Sequence, residues 1–362
     1  MRISPCHYRR NASGQFYKLH ACRLIKSLRL NKKTRHNCQF INFHERLKKS
    51  NQPMSNSPIR VIAFPGAPNL PTFAAIEHGQ FQQRGFDVEL ELTPSSIYQA
   101  EKTAAGEFDI ICTAFDNVVA YGSGQGAAKA GINPDYVVIM GATQLELSLV
   151  TAPSIKNLAD LAGKTIALDA LSTGFAFVLF DMLEKAGVAQ SDVDFIAVGA
   201  TPQRWQSVKD GTHAGTLTIE PFTSLARFDG FNVIAQSTDL YSEYQGGVIA
   251  TTRSVLASQP EKIDAFIRAY LDGLAWVLDP MNEAAAKTIL GSRMPQIKPK
   301  AMTAVMNSLT SPTSGLTPAA ALLDAGMDQV IALRSKYGIG TVPISPAEHF
   351  IDLGLYRKAV QA

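Results

Sequence analysis

The chain has 362 residues, 46% of them hydrophobic and 18% charged, which supplies core for about two ordinary globular domains and excludes a low-complexity polypeptide. No apolar run approaches the roughly 18 residues of a membrane helix; the closest, residues 175–183, is short and contains Asp181. The net charge of +3 averages two unlike parts: residues 1–53 hold 13 Lys/Arg against one acid, Glu45, which of the whole chain's 34 and 31 leaves 21 and 30 for residues 54–362.

The basic segment, residues 1–57, reads as a disordered extension or as upstream sequence, with Met54 the natural beginning. Cys6, Cys22 and Cys38 are spaced by 16 and match no zinc pattern. Charges recur too often through residues 21–30 for the apolar run of a signal peptide.

From residue 59 strands and helices alternate. A strand at 59–64 leads through a Pro-rich turn to a helix expected over 72–84 and stopped at Gly85. A strand at 86–92, a helix at 97–105 capped by Ser95 and Ser96, a strand at 108–112 and a helix at 116–121 follow. Strands at 136–141 and 147–151, a helix at 155–161 and a strand at 164–168 lead to the turn Ser172-Thr173-Gly174-Phe175. A helix at 176–186, a strand at 195–198, a helix at 203–209 and a strand ending in Glu220-Pro221 complete this part. Beyond Ile249 only helices are expected, at 261–278, 282–289, 298–307 and 318–336, the last with Thr317 as N-cap and Pro318 at its first position. The order implies an α/β fold of mainly parallel sheets flanked by helices, with C-terminal helices.

Small hydroxyl residues at the head of a helix leave backbone N–H groups free where the dipole favours negative charge, so the Ser172 turn suits an oxyanion. The unit at 64–85 has a similar strand–turn–helix form. No Ser-His-Asp set, metal motif, phosphate loop or dinucleotide fingerprint is present, and no cofactor or metal is expected. The acidic body offers no groove for nucleic acid.

The segments Ala74-Ala75-Ile76-Glu77-His78-Gly79-Gln80-Phe81, Gly85-Phe86-Asp87-Val88-Glu89 and Gly106-Glu107-Phe108-Asp109-Ile110, with residues 158–167 and Glu220-Pro221, carry a resemblance. Their order is similar to that of solute-binding proteins of ABC importers for aliphatic sulfonates, taurine and nitrate, a group that also includes thiamine-pyrimidine synthases. The resemblance implies a two-lobe, type II periplasmic-binding-protein-like fold, with lobe one at 58–147 plus 246–362 and lobe two at 148–245. It implies a monomer that closes on a small organic anion and delivers it to an ABC permease. Ligand residues are then expected at the turns facing the cleft: Pro68, Asn69 and Thr72; Ser95 and Ser96; Phe115, Asp116 and Asn117; Ser172, Thr173, Gly174 and Phe175. Glu220, Tyr244 and Gly246 are expected beside the hinge. Arg204 reads equally as a further anion donor and as a surface residue.

The resemblance places the protein in the periplasm, whereas the missing signal pattern leaves a cytoplasmic location as the alternative. The rival function is a cytoplasmic enzyme on this fold, of decarboxylase, desulfinase or pyrimidine-synthase type, acting on a small aromatic or heterocyclic acid. His78, Asp116 and His213 are its candidate acid–base residues. The synthases' cysteine-rich iron-binding run is absent, and Cys112 sits in an apolar strand.

Overall fold

The computed structural model describes residues 9–10, 16–17, 57–340 and 343–361. The chain divides into two compact units, Met1–Pro53 and Met54–Ala362. In the first, Arg9–Arg10 pairs antiparallel with Phe16–Tyr17; the expected disorder of the basic extension concerns residues otherwise outside the description. The second unit carries two five-stranded sheets.

The first sheet contains β1 (Ile59–Ala63), β2 (Val88–Leu92), β3 (Ile110–Ala114) and β4 (Tyr136–Thr143). The second contains β5 (Ser148–Thr151), β6 (Thr165–Leu168), β7 (Asp194–Ala197), β8 (Gly215–Thr218) and β9 (Asn232–Gln236). The chain then returns to the first sheet as β10 (Gly247–Thr252). Spatial order is β2-β1-β3-β10-β4 in one sheet and β9-β5-β8-β6-β7 in the other.

Parallel pairing follows the helical crossovers: β1 lies parallel to β2 and β3, and β6 parallel to β7 and β8. The sheets are nevertheless mixed. β10 runs antiparallel to both β3 and β4, and β5 antiparallel to β8 and β9. The sequence pattern indicates neither β9 nor β10 as a strand. β10 is apolar and buried between neighbours that arrive from far along the chain.

The helices are α1 (Leu70–Glu77), α2 (Ser96–Ala104), α3 (Phe115–Gly122), α4 (Gly174–Lys185), α5 (Thr201–Lys209) and α6 (Phe222–Phe228). After β10 come α7 (Arg253–Ser258), α8 (Pro260–Leu278), α9 (Glu283–Arg293), α10 (Pro299–Leu309), α11 (Asp324–Tyr337) and α12 (Gly354–Val360).

Three expected helices are shorter. The first ends at Glu77 because Gly79 takes a left-handed φ of 66°. The helix expected at 155–161 is a single 3-10 turn, Leu158–Leu161, held by a capping box between Asn157 and Asp160. The one expected from Pro318 breaks at once, since Ala319 and Ala320 have φ of 54° and 52°. There the Thr317 N–H donates to the Ala142 carbonyl at 3.0 Å, and Leu316 bridges Thr143, so this segment edges the first sheet before α11 begins.

The chain crosses between the sheets at 144–147 and at 237–246. Gln245, fully buried, ties the second crossing down: its Nε2 donates to the Thr143 and Gly247 carbonyls at 3.3 and 2.8 Å, and its Oε1 accepts from the Leu323 N–H at 2.9 Å. Among the described residues no helix is long and apolar enough to cross a membrane.

Candidate functional site

Strand ends and helix starts of both sheets enclose a cavity of about 100 Å³. From the first sheet come Phe64, Pro68, Asn69 and Thr72 after β1, Asn117 on α3, Val248 on β10 and Tyr270 on α8. From the second come Asp169 after β6, Thr173, Gly174 and Phe175 at the head of α4, Thr201 and Arg204 on α5, and Ile219 after β8. This is where open α/β sheets place their ligands.

Arg204 is its most unusual member. Helix α5 buries Thr201, Arg204, Trp205 and Val208, a spacing of i, i+3, i+4, i+7 that puts the guanidinium on the apolar face. Arg204 is a buried residue, which resolves the surface alternative. Its Nη1 donates to the Leu217 carbonyl at 2.8 Å and the Thr216 hydroxyl at 3.2 Å, and its Nη2 to the Thr201 hydroxyl at 2.9 Å. Its Nε has no partner. Among the described residues no carboxylate pairs with it, and burial pushes its pKa down to about 10, opposed by the Asp169 charge. A desolvated cation with no carboxylate in direct contact is costly unless an anion arrives.

The two helix starts expected to take the ligand's charge are already engaged by protein carboxylates, and these cross between the sheets. The Gly174 N–H, at the head of α4, donates to Asp116 Oδ2 at 2.5 Å. The Ser96 N–H, at the head of α2, donates to both oxygens of Asp169 at 3.3 and 3.2 Å. Asp116 is held in turn by Arg334 of α11, whose Nε and Nη2 each donate to it at 2.6 Å, and Nη2 also donates to the Ser172 carbonyl at 2.9 Å. The Arg334 guanidinium lies 4.8 Å from the centre of the Phe177 ring. Position 174 has to be glycine in this arrangement, because a Cβ there meets Asp116 Cβ and Cγ at 2.6 Å.

Of the sequence-derived candidates, Pro68, Asn69, Thr72, Asn117, Thr173, Gly174 and Phe175 line the cavity. Ser95 instead caps α2, accepting from the Tyr98 N–H at 3.1 Å, and Ser96 holds Asp169 through its backbone. Phe115 and Tyr244 are packed in the core, Asp116 is consumed by Arg334 and Gly174, and Ser172 contributes its carbonyl to Arg334. Gly246 packs its backbone against Leu145. Asp169, Thr201 and Tyr270 also line the cavity without having been singled out from the sequence, as does Cys112, which the sequence indicates only as a residue of an apolar strand. Tyr270 was traceable as part of the apolar stripe Ile263, Phe266, Tyr270, Leu274, Val277 on α8.

The acid–base candidates do not converge. His78 is exposed and its ring packs 4.4 Å from that of Trp276. His213 precedes β8, buried and with Nδ1 unpartnered, and does not line the cavity. Burial pushes the Cys112 thiol up to about 12, so at neutral pH it carries no nucleophilic thiolate. Among the described residues no group of three or more His, Cys, Asp or Glu side chains is placed to hold a metal ion.

Glu220 lies beside the cavity rather than on it, and its carbonyl accepts from the Ala67 N–H at 3.0 Å, a link between the two sheets' turns. Burial raises its carboxyl from an ordinary 4.5 to about 7, against the lowering effect of two bonds from Ser224. The folded protein therefore binds this proton more tightly than the unfolded chain. The associated stability is present below about pH 4.5 and is lost as pH rises through about 7. Urea unfolding across that window should show Glu220→Gln gaining on the parent as pH rises; a constant difference would disprove the raised carboxyl.

A family model described as NMT1/THI5 like matches residues 68–284. No curated protein matches the sequence. Among solved structures, the periplasmic nitrate-binding protein NrtA from Synechocystis PCC 6803 superposes with a TM-score of 0.71 at 13% identity, over 84% of this chain and 90% of that one. The periplasmic aliphatic sulphonate-binding protein SsuA from Escherichia coli gives 0.61 at 18% identity, over 84% and 100%. The Candida albicans CA3427 gene product, whose family exhibits the generic periplasmic binding protein fold, gives 0.61 at 16% identity, over 84% and 95%. At these identities the likeness is one of fold, and the fold is that of the periplasmic binding proteins.

Proposed function

The chain belongs to the NMT1/THI5-like family, and from that premise we propose that it is a solute-binding protein that closes on a small organic anion of the sulfonate, taurine or nitrate kind. The observation that carries this reading is Arg204: a buried guanidinium with an unpartnered Nε, on a residue that lines a cavity walled by both sheets. Residues 58–147 plus 246–362 and residues 148–245 act as the two lobes in this proposal, with the crossings at 144–147 and 237–246 as the hinge. Affinity for the closed form comes from contacts that the open form does not make. The crossed carboxylates Asp116 and Asp169 fit that mechanism, since each joins one sheet's helix start to the other sheet. An ABC permease is the partner this reading implies, which places the protein in the periplasm.

A thermal-shift screen of the chain against nitrate, sulfonates, pyrimidines and aromatic carboxylates tests the proposal, with each compound's mass measured after incubation. An anion recovered unchanged should stabilise the protein by about 2.7 kcal/mol at a hundredfold excess over its Kd. A compound that stabilises and is then converted would replace the binder with an enzyme. Stabilisation by the uncharged pyrimidines alone would remove the anion site.

A further inference from the structure

Three residues that line the cavity each carry a buried polar atom without a partner: Arg204 its Nε, Thr72 its Oγ1 and Tyr270 its Oη. These residues are only 2%, 1% and 1% exposed. Buried polar atoms are nearly always paired, and of the seven orphans among the described residues three belong to residues around this one cavity, a clustering that points to a ligand. They come from opposite sides. Arg204 belongs to α5 over the second sheet, whereas Thr72 on α1 and Tyr270 on α8 belong to the first. Much of the remaining wall is carbon, including Phe64, Leu145, Phe175, Ile219 and Val248.

Resting on the reading of this cavity as an anion site, we infer that its ligand is two-headed: a monoanionic group meets Arg204, an uncharged hydrogen-bonding group meets Thr72 and Tyr270, and an apolar body joins them. A single charge follows from the wall, where Arg204 is the only Lys or Arg among the described residues and Asp169 disfavours a second negative charge. The second head is neutral because hydroxyls face it, and they donate to or accept from a ligand hydroxyl, carbonyl or amide equally well. Asp169 is already engaged by the Ser96 N–H, so it does not call for a cationic head. The arrangement also explains closure. A ligand that touches one sheet's residues binds open and closed forms alike and shifts nothing, whereas a two-headed one favours the form in which both sets converge.

Isothermal titration calorimetry of the full chain at millimolar ligand decides the matter with matched pairs: hexanoate and omega-hydroxyhexanoate, benzoate and para-hydroxybenzoate, benzenesulfonate and para-hydroxybenzenesulfonate. In at least one pair the hydroxy acid should bind about tenfold tighter or more, the worth of a satisfied buried hydroxyl. Thr72→Val and Tyr270→Phe, which each remove an orphan without changing shape, should bring that hydroxy acid back to its parent's affinity. Parent and hydroxy acids binding equally in every pair would overturn the two-headed ligand and leave the anion reading standing. Failure of all six acids to bind would overturn the two-headed ligand, and failure of nitrate and taurine in the same titration would overturn the anion reading with it.

Discussion

Arg334→Met is expected to cost about 3–5 kcal/mol of folding stability, the usual result of removing one partner from a buried ion pair. Both side chains are sealed, at 0% and 1% exposure, and Asp116 draws three of its hydrogen bonds from Arg334 and Gly174. Without the guanidinium the carboxylate is left charged in the core, with only the Gly174 N–H to answer it. The melting temperature should fall by roughly 6–20 °C for a body of this size. Adding Asp116→Asn should recover most of the loss, because the amide oxygen still accepts from Gly174 and no charge remains. A double variant as unstable as the single one would show that packing, not the stranded charge, sets the cost.

Arg204→Met is expected to do the reverse. Affinity for an anionic ligand should drop by about 2–4 kcal/mol, roughly 30- to 1,000-fold, through loss of charge-assisted bonds in a dry site. The ligand-free protein should hold its melting temperature or gain, because the substitution removes a buried cation that no carboxylate pairs with. Calorimetry with the strongest anion from the screen, alongside melting of the free protein, separates the two quantities. Retained affinity with a collapse in stability would make Arg204 a structural residue and move the anion elsewhere.

The two arginines show how far the sequence could be read. Each lies on a helix, and residue type alone gives them the same character. Periodicity could have gone further for Arg204: positions 201, 204, 205 and 208 repeat as the buried face of α5. Arg334 likewise falls in register with Met327 and Val330 on the buried face of α11, but nothing local points to its partner Asp116, 218 residues away. The same holds for the helix starts. Free N–H groups at Ser96 and Gly174 follow from the chain's turn chemistry, but the carboxylates that occupy them come from 73 and 58 residues off. Hence the turns expected to bind the ligand do surround the cavity in part, while their strongest donors point at protein acids.

By itself the sequence determined the α/β alternation and the turns that sit at strand ends, because hydrophobic period, capping and turn chemistry act over a few residues. Tertiary structure alone decided that β10 returns antiparallel into the first sheet, that Arg204 is buried with the Asp169 charge near it but no salt bridge to it, and that Asp116 and Asp169 cross between the sheets. Those outcomes depend on which distant groups meet out of water, and charge burial and pairing are properties of that meeting rather than of any segment.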